Sequence, residues 1–334
     1  MWTNMFKLPQ PLVALITEDL YHAERQKQLA DYCKSESLDI DKCIHLSCSD
    51  IIRPPRMRVL VKRYAHKIVQ DVANAVFRVL GSAIHHYLRE GAMRSKMVDA
   101  GFYIPEERLF INFVIGGRTV ILSGEPDLVT PDGEIHDYKV TAVYSWQKGS
   151  KEEWAQQLNV YAFLRTLAKG KVTTGLKVCY ILRDWSVNET MQEGYPPAQS
   201  MMEEVPLWTY EQQKKYIEER ILLHIEAENQ FDDELPECSK YEMWEKPEAW
   251  AVKKEGSARA YRVIHKEGDE GRVEADGLVQ SLNAKTKSFA YSMEHRPGER
   301  TRCIKYCDAR QFCNIFKEYA GAAFRGKADA VSNV

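Results

Sequence analysis

The stretch that decides the fold is residues 119–139, TVILSGEPDLVTPDGEIHDYK. Apolar and β-branched residues fill 119–129 and 134–140, which predicts two strands. Between them, residues 130–133 read TPDG, with proline and glycine where a type I turn prefers them. The stretch therefore predicts a β-hairpin.

This hairpin carries two carboxylates and an amine. Side chains alternate along a strand, so Asp137 and Lys139 share one face while Tyr138 points to the other. Asp127, on the paired strand, can reach the face of Asp137. Mg²⁺ is commonly held by one or two carboxylates plus phosphate oxygens, so the pair predicts a Mg²⁺ or Mn²⁺ site. Lys139 beside the metal would orient or help deprotonate an attacking water. A surface hairpin with solvated charges is the alternative.

Two flanking helices add polar side chains. Apolar residues recur at three- and four-residue spacing from Ile68 to Leu80, which predicts a buried helix that brings His85 to the sheet. Imidazole is a metal ligand. Downstream, a predicted helix ending at Gly170 carries Gln157 and Tyr161 one turn apart on one face. Taken singly, each of these side chains more commonly has an ordinary packing role.

In chain order the motifs are G-x-x-x-H from Gly81, G-x-x-D from Gly124, D-x-K from Asp137 and Q-x-x-x-Y from Gln157. This order resembles the RecB-type branch of the PD-(D/E)XK nuclease superfamily. Within that branch, nucleases encoded by bacteriophages are similar in local strings: LSCSDIIRPPR at 46–56, EW at 153–154 before QLNVY, and RDW at 183–185. The resemblance covers roughly residues 46–315.

The resemblance implies an α/β fold with a restriction-endonuclease-like core, in which helices flank a central mixed sheet. The implied metal ligands are His85, Asp127, Asp137 and the backbone carbonyl of Tyr138, and the implied catalytic residues are Asp127, Asp137, Lys139, Gln157 and Tyr161. In this family pattern the lysine is catalytic, while the glutamine and tyrosine position it and the DNA.

The implied activity is hydrolysis of DNA phosphodiester bonds with Mg²⁺ or Mn²⁺. Among such enzymes the resemblance favours a phage exonuclease that resects DNA ends for recombination or replication, with a phage recombinase or single-strand annealing protein as a partner. Two alternatives stay open. One is an endonuclease or a relative of the CRISPR-adaptation nucleases. The other is an inactive DNA-binding module with a structural metal cluster.

The chain has eight cysteines, and no N-terminal segment pairs a basic start with a long apolar run. These features predict a reducing cytoplasm, which is the host cytoplasm for a phage protein, where clustered cysteines more often bind metal than form disulfides. Cys303, Cys307 and Cys313 are spaced C-x3-C-x5-C. They predict a cluster that needs a fourth ligand.

RecB-type nucleases with an iron–sulfur cluster resemble this pattern, with three cysteines beyond the core and one upstream. This chain departs from it in its first spacing of three residues and in having Pro54 where the upstream cysteine is expected. The fourth ligand is then Cys238 or Cys48. The resemblance to phage relatives with a cysteine in a similar Pro-x-Cys…Trp context, here from Pro236 to Trp244, favours Cys238. The resemblance implies [4Fe-4S], but four thiolates also suit Zn²⁺. Three unligated cysteines in a C-terminal helix are the alternative.

Charge and hydropathy limit how the chain could bind nucleic acid or a membrane. A net charge of −2 gives no global attraction to nucleic acid, so DNA contacts must come from a local patch. The predicted patch, which precedes the His85 helix, consists of Arg53, Arg56, Arg58, Lys62 and Arg63. A solvated helix face is the alternative. No apolar run is long enough to span a membrane, so no membrane partner is expected.

Four segments are predicted along the chain. Residues 1–45 form an N-terminal helical extension, and residues 46–235 form the RecB-type nuclease core. Residues 236–320 form a small α+β insertion closed by the cysteine cluster, with strands near 250–253 and 260–264. Residues 321–334 are a predicted disordered tail.

Overall fold

A computed structural model describes residues 1–18, 22–94, 104–105, 108–149, 151–266, 268–287 and 289–321. The chain divides into two compact units. The first consists of residues 1–53 and 69–229, and the second of residues 54–68 with everything from residue 230 onward. The predicted boundaries at 45, 235 and 320 stay predictions. The predicted disordered tail begins at residue 321, and all of it after Gly321 lies outside the described residues.

The first unit is built from strands and helices in mixed order. Its strands are β1 (Trp2–Thr3), β2 (Ile44–Ser47), β3 (Gln70–Asp71), β4 (Ile104–Pro105), β5 (Leu109–Ile115), β6 (Arg118–Gly124), β7 (Leu128–Val129), β8 (Glu134–Thr141), β9 (Gly175–Leu182) and β10 (Ser200–Val205). Its helices are α1 (Gln10–Thr17), α2 (His22–Ser35), α3 (Cys48–Ile52), α5 (Val76–Arg94), α6 (Val143–Gln147), α7 (Glu152–Lys169) and α8 (Tyr210–Glu228), with α4 belonging to the second unit. Short 3₁₀ helices span Ile40–Lys42, Val72–Ala75 and Val187–Glu189.

Two mixed sheets organise this unit, which is therefore of the α/β class. A five-stranded sheet has the order β10-β9-β8-β7-β4, with β8 and β9 parallel and the other neighbours antiparallel. A three-stranded sheet has the order β2-β6-β5, with β2 parallel and β5 antiparallel to β6. A separate two-stranded parallel sheet joins β1 to β3.

One hydrophobic core underlies both larger sheets. Every second residue of β9 is buried, as expected for a strand with one covered face. Helix α7 packs against β5, β6, β8 and β9, and its central segment from Leu158 to Arg165 is entirely buried. Helix α8 adds Ile217, Ile221 and Ile225 to the same core. The capping box of Thr209 and Gln212 begins α8.

The predicted hairpin is correct in its second half and wrong in its first. Gly133 N–H donates to the carbonyl of Thr130 at 3.0 Å and closes the turn, and Gly133 has a φ of +94° that favours glycine. The first strand, however, is not continuous over 119–129. It ends at Gly124, and only β7 pairs with β8. Pro126 has no N–H to donate to a neighbouring strand, so the strand ends before it and the chain continues in a different sheet.

The helix that carries His85 differs from its prediction. It begins at Val76, after the 3₁₀ turn Val72–Ala75, and none of its residues, all described, is buried. Phe77 and Tyr87 are 65% and 76% exposed. The expectation of a buried helix is wrong because apolar spacing identifies a helix without specifying how much of the apolar stripe is covered.

The second unit contains α4 (Pro55–Tyr64), α9 (Gly268–Thr286) and α10 (Thr301–Lys305), a 3₁₀ helix at Arg310–Phe312, and helical residues 314–321. Its strands are β11 (Glu245–Lys246), β12 (Ala249–Lys254), β13 (Ala260–Ile264), β14 (Tyr291–Arg296) and β15 (Glu299–Arg300). Strands β13-β12-β14 form an antiparallel sheet against which α9 packs, and β11 pairs with β15. In the described part of the chain, no helix combines the length and apolar character needed to cross a membrane.

Candidate functional site

The two aspartates of the predicted site lie side by side in the five-stranded sheet. The register of β7 and β8 pairs Leu128 with His136, which places Asp127 next in line beside Asp137. Asp127 Oδ2 accepts a 2.7 Å hydrogen bond from the backbone N–H of Tyr138. The start of β7 is thereby fixed against the strand that carries Asp137.

Lys139 joins the sheet to helix α7. Its Nζ lies 2.5 Å from Asp137 Oδ2 and donates to Gln157 Oε1 at 3.0 Å. Gln157 Nε2 in turn donates to the hydroxyl oxygen of Tyr161 at 2.8 Å. Four side chains that the sequence analysis singled out, Asp137, Lys139, Gln157 and Tyr161, therefore form one continuous polar chain.

The buried carboxylate of Asp137 dominates the electrostatics of this site. Its side chain is 3% exposed, and burial raises its pKa to about 6, although the Lys139 ammonium opposes the shift and the Asp127 carboxylate adds to it. Burial also raises the pKa of Tyr161 well above its ordinary value, so this hydroxyl stays neutral at physiological pH. A further cation beside this buried carboxylate would stabilise its charged form.

His85 reaches the site from helix α5. Its Nδ1 lies 3.1 Å from Asp127 Oδ1, and its ring meets Tyr138 edge-on at 6.1 Å. Burial lowers the pKa of His85, but the hydrogen bond and charge of Asp127 outweigh it, so the pKa is raised. The structure thus brings His85 to the aspartates even though its helix is not buried.

The donor set fits a hard divalent cation in its chemistry. Two adjacent carboxylates, one of them deeply buried, are the ligands that Mg²⁺ takes together with water and phosphate oxygens. Within the described ranges, however, no group of three or more His, Cys, Asp and Glu side chains is arranged to hold a metal ion. His85 is engaged with Asp127 and Lys139 with Asp137, so the predicted roles of these residues and of the Tyr138 carbonyl stay predictions.

A cleft of about 460 Å³ opens beside these residues. Its lining includes His85, Asp127 and Tyr161 from the predicted site, together with side chains that the sequence analysis missed: Glu24, Arg25, Gln28, Ser47, Ser49, Arg89, Arg108 and Glu125. Arg108 forms a close ion pair with Glu125. Helix α2, which lies in the predicted N-terminal extension of residues 1–45, thus contributes to the cleft. The sequence offers no periodic signal that would have identified these positions.

Gly124, from the G-x-x-D motif, is required by close packing. A Cβ atom at this position would lie 2.6 Å from Leu164 Cδ1 and 2.9 Å from two ring carbons of Tyr161. The glycine lets helix α7 approach the end of β6, and so sets the position of Tyr161. Gly81 of the G-x-x-x-H motif has no such constraint, because a Cβ atom added there would meet nothing within 4 Å.

The four cysteines predicted to form a cluster all lie in the second unit. Burial, with smaller contributions from Glu242 and from the thiols of Cys303, Cys307 and Cys313, raises the pKa of Cys238 to about 12. The absence of a metal-holding group among the described residues applies to these cysteines as well as to the aspartate site. The other candidate, Cys48, lies in the first unit, where its thiol donates to the carbonyl of Gln157 at 3.6 Å. The choice between Cys238 and Cys48 as the fourth member stays a prediction.

The cysteine-bearing segments are joined by backbone contacts. Strand β11 pairs with β15, and Arg302 N–H donates to the Met243 carbonyl at 3.0 Å. The Arg302 guanidinium lies 4.6 Å from the ring centroid of Trp244, whose ring also meets Tyr306 edge-on. These contacts hold residues 238–246 beside residues 299–307, which carry Cys303 and Cys307.

The five residues of the predicted basic patch differ in exposure and in partners. Arg56 is 2% exposed and its guanidinium donates to backbone carbonyls, so it is not presented to a phosphate. Arg63 pairs with Asp232 at 2.6 Å. Arg53 and Lys62 are exposed, and Arg58 is half-buried. The prediction fails for Arg56 because a helix pattern does not reveal which basic side chain points inward.

Comparisons with known proteins add little. No protein-family model matches the chain, and no curated protein matches it. Among solved structures, the crystal structure of SSO0001 is similar, with 16% sequence identity and a TM-score of 0.39, over 60% of this chain and 85% of that one. A similarity of this size is too weak to assign a fold.

Proposed function

We propose that the chain is a divalent-metal-dependent DNA nuclease with a PD-(D/E)XK-type core, and that it acts as a phage exonuclease on DNA ends. The observation that carries the proposal is the continuous chain of Asp137, Lys139, Gln157 and Tyr161 beside Asp127. A pair of carboxylates with an adjacent ammonium suits hydrolysis of a phosphodiester. Buried carboxylates with a raised pKa, such as Asp137, are common at functional sites.

Each residue has a distinct task in this proposal. Asp127 and Asp137 hold a divalent cation, with His85 as a further ligand, and the bound cation supplies Lewis-acid chemistry and charge neutralisation. Lys139 orients the attacking water and offsets charge on the phosphate as it develops. Gln157 keeps the lysine aligned, since its amide accepts from Lys139 and donates to Tyr161.

The cleft supports a nucleic acid as the substrate. Arg25, Arg89 and Arg108 line the same space as Asp127 and Tyr161. Guanidinium groups are well suited to phosphate oxygens because they present paired donors in a plane. Cleavage of linear ends, action beside a recombinase or annealing protein, and location in the host cytoplasm belong to the same proposal and rest on the family resemblance.

The experiment compares the wild type with Asp127→Ala and Lys139→Ala on linear duplex, circular duplex and circular single-stranded DNA, with Mg²⁺ or Mn²⁺. We expect the wild type to degrade only the linear DNA, and both variants to lose at least about 100-fold in rate while keeping the fold. Lys177→Ala is the matched control, because Lys177 lies on the neighbouring strand and pairs with Glu134 at 2.8 Å.

The outcomes separate the competing functions. Cleavage of circular DNA by the wild type would exclude an exonuclease and leave an endonuclease. DNA binding without cleavage, under either metal, would favour the inactive binding module. Full activity in either site variant would refute the assignment of the site itself.

We further propose that Cys238, Cys303, Cys307 and Cys313 bind a [4Fe-4S] cluster, with Zn²⁺ as the alternative. The backbone contacts that hold residues 238–246 beside residues 299–307 support this grouping. Protein purified without oxygen should show a brown absorption band at ~400 nm if iron–sulfur is bound. A colourless protein with stoichiometric zinc would support the alternative. A protein that contains neither iron nor zinc would refute the site.

A further inference from the structure

Gly81 lies in the middle of helix α5, where packing does not require a glycine. Glycine is unfavourable inside a helix relative to alanine, and Gly81 keeps the backbone conformation of an ordinary helical residue. A Cβ atom at this position would meet no atom of the described residues within 4 Å. Gly81 nevertheless lines the cleft together with His85 and Asp127. The missing side chain therefore leaves open space at the cleft.

This open space belongs to a row of side chains along α5. The row consists of positions four residues apart, which are neighbours on a helix surface: Phe77, Gly81, His85 and Arg89. The last three line the cleft, and Phe77 lies one turn before Gly81. At 1.5 Å per residue, Phe77 and His85 are about 12 Å apart along the helix axis. Between them the row has no side chain.

Phe77 presents an exposed aromatic ring with a cation beside it. The residue is 65% exposed, and the guanidinium of Arg183, which directly follows strand β9, lies 4.3 Å from the ring centroid. Such a pair combines an aromatic surface with a positive charge. Proteins bind single-stranded nucleic acids with this combination, because bases stack on the ring while the cation attracts the phosphate backbone.

We propose that Phe77 and Gly81 form a stacking slot for one unpaired nucleobase, so that the strand entering the cleft is single-stranded. The base stacks on the Phe77 ring over the space at Gly81, and Arg183 and Arg89 attract the phosphates of the strand. The inference deepens the proposed nuclease function, on which it rests for its ligand. It does not depend on a bound metal ion.

The dimensions of the site favour a single strand over a duplex. The cleft has a volume of about 460 Å³, which is within the range of pockets for small molecules. A base in a duplex is stacked and paired, so it can enter such a slot only after it leaves the double helix, which has an energetic cost. An unpaired base avoids this cost. We therefore expect tighter binding of single-stranded DNA than of a blunt duplex.

The test measures binding of a fluorescently labelled single-stranded oligodeoxynucleotide to the full-length protein by anisotropy, with a chelator present to prevent cleavage. A blunt duplex of the same sequence is compared at the same salt concentration, because salt alone changes such affinities. Gly81→Leu fills the slot, and Phe77→Ala removes the ring. Stacking of one base typically contributes about 5- to 150-fold in affinity, and we expect each variant to lose about that much for the single strand.

Two control variants lie on the same helix outside the cleft. Gly91→Leu changes a glycine that, like Gly81, has open space around an added Cβ, and Tyr87→Ala removes a ring that is 76% exposed. Both should bind the single strand as the wild type does. Leucine favours helix over glycine, so both leucine variants should raise the urea midpoint, and weaker binding by Gly81→Leu is then not due to unfolding. Phe77→Trp keeps a stacking ring and should retain binding.

Four results would overturn the inference. They are absence of single-strand binding by the wild type, binding of the duplex as tightly as the single strand, wild-type affinity in Phe77→Ala or Gly81→Leu, and an equal loss of affinity in Gly91→Leu and Tyr87→Ala. If Gly81→Leu does not fold, the comparison of Phe77→Ala with Phe77→Trp decides. The cleavage assay tests the nuclease proposal separately, because a wild type that cleaves linear DNA without preferring the single strand contradicts only the stacking slot.

Discussion

The substitution Asp137→Asn should stabilise the metal-free protein at neutral and alkaline pH. Asp137 is 3% exposed, and burial raises its pKa to about 6, above the ordinary aspartate value of 3.8. A carboxyl whose pKa is raised by folding binds its proton more tightly in the folded state. Stability from this group is therefore complete below the pKa of the unfolded chain and is lost as the pH rises toward 6.

The magnitude follows from the size of the shift. A difference of about two pKa units costs the wild type on the order of 3 kcal/mol at pH 8, but only about 0.5 kcal/mol at pH 4. An asparagine at this position cannot ionise and avoids the cost. The gap in unfolding free energy between the variant and the wild type should then widen by roughly 2.5 kcal/mol between pH 4 and pH 8.

Urea unfolding in the presence of a chelator, at pH 4, 6 and 8, measures this gap. Asp233→Asn removes an exposed carboxylate and is the control, with a gap that should stay nearly constant. Saturating Mg²⁺ should then raise the stability of the wild type but not of Asp137→Asn, because only the wild type keeps both carboxylates. A variant that is less stable than the wild type at pH 8, or a gap independent of pH, would refute the reasoning.

Three other substitutions, with Gly91→Ala as a control for the first, test the packing behind the site. Gly124→Ala places a methyl group against the Tyr161 ring and should lower the unfolding free energy by about 1–3 kcal/mol, whereas Gly91→Ala, in open space on helix α5, should raise it by about 0.5–1 kcal/mol. Tyr161→Phe leaves the amide of Gln157 without its acceptor, so cleavage should slow with a loss of about 1 kcal/mol in urea unfolding. Asn159→Ala deletes a fully buried amide with several backbone partners and should cost about 2–4 kcal/mol in the same assay, with unchanged stability contradicting this account.

Much of the candidate site could be predicted because its spacing is local. Asp137 and Lys139 lie two residues apart on one strand, are predicted to share one face, and form an ion pair. Gln157 and Tyr161 lie one turn apart on α7 and form a hydrogen bond. These relations depend only on the periods of a strand and a helix. The α/β class, by contrast, is an expectation from the family resemblance.

The rest depended on tertiary contacts that no local period encodes. The strand predicted over 119–129 breaks at Pro126, and its first half joins a different sheet. Arg56 has the same helical context as exposed Lys62, yet it is buried among carbonyls more than 170 residues away in the chain. Contacts with residues distant in sequence therefore determine that Arg56 is buried while Lys62 is exposed.

The change of sheets at Glu125–Pro126 has a consequence for when the site forms. Strand β6 belongs to one sheet and β7 to another, and helix α7, which carries Gln157 and Tyr161, packs against β6 and β8, so the complete site needs both sheets in place on the helix. Contacts between distant parts of a chain generally form late in folding. In the nuclease that we propose, a partly assembled chain would therefore lack the complete site, and cleavage would require the assembled molecule.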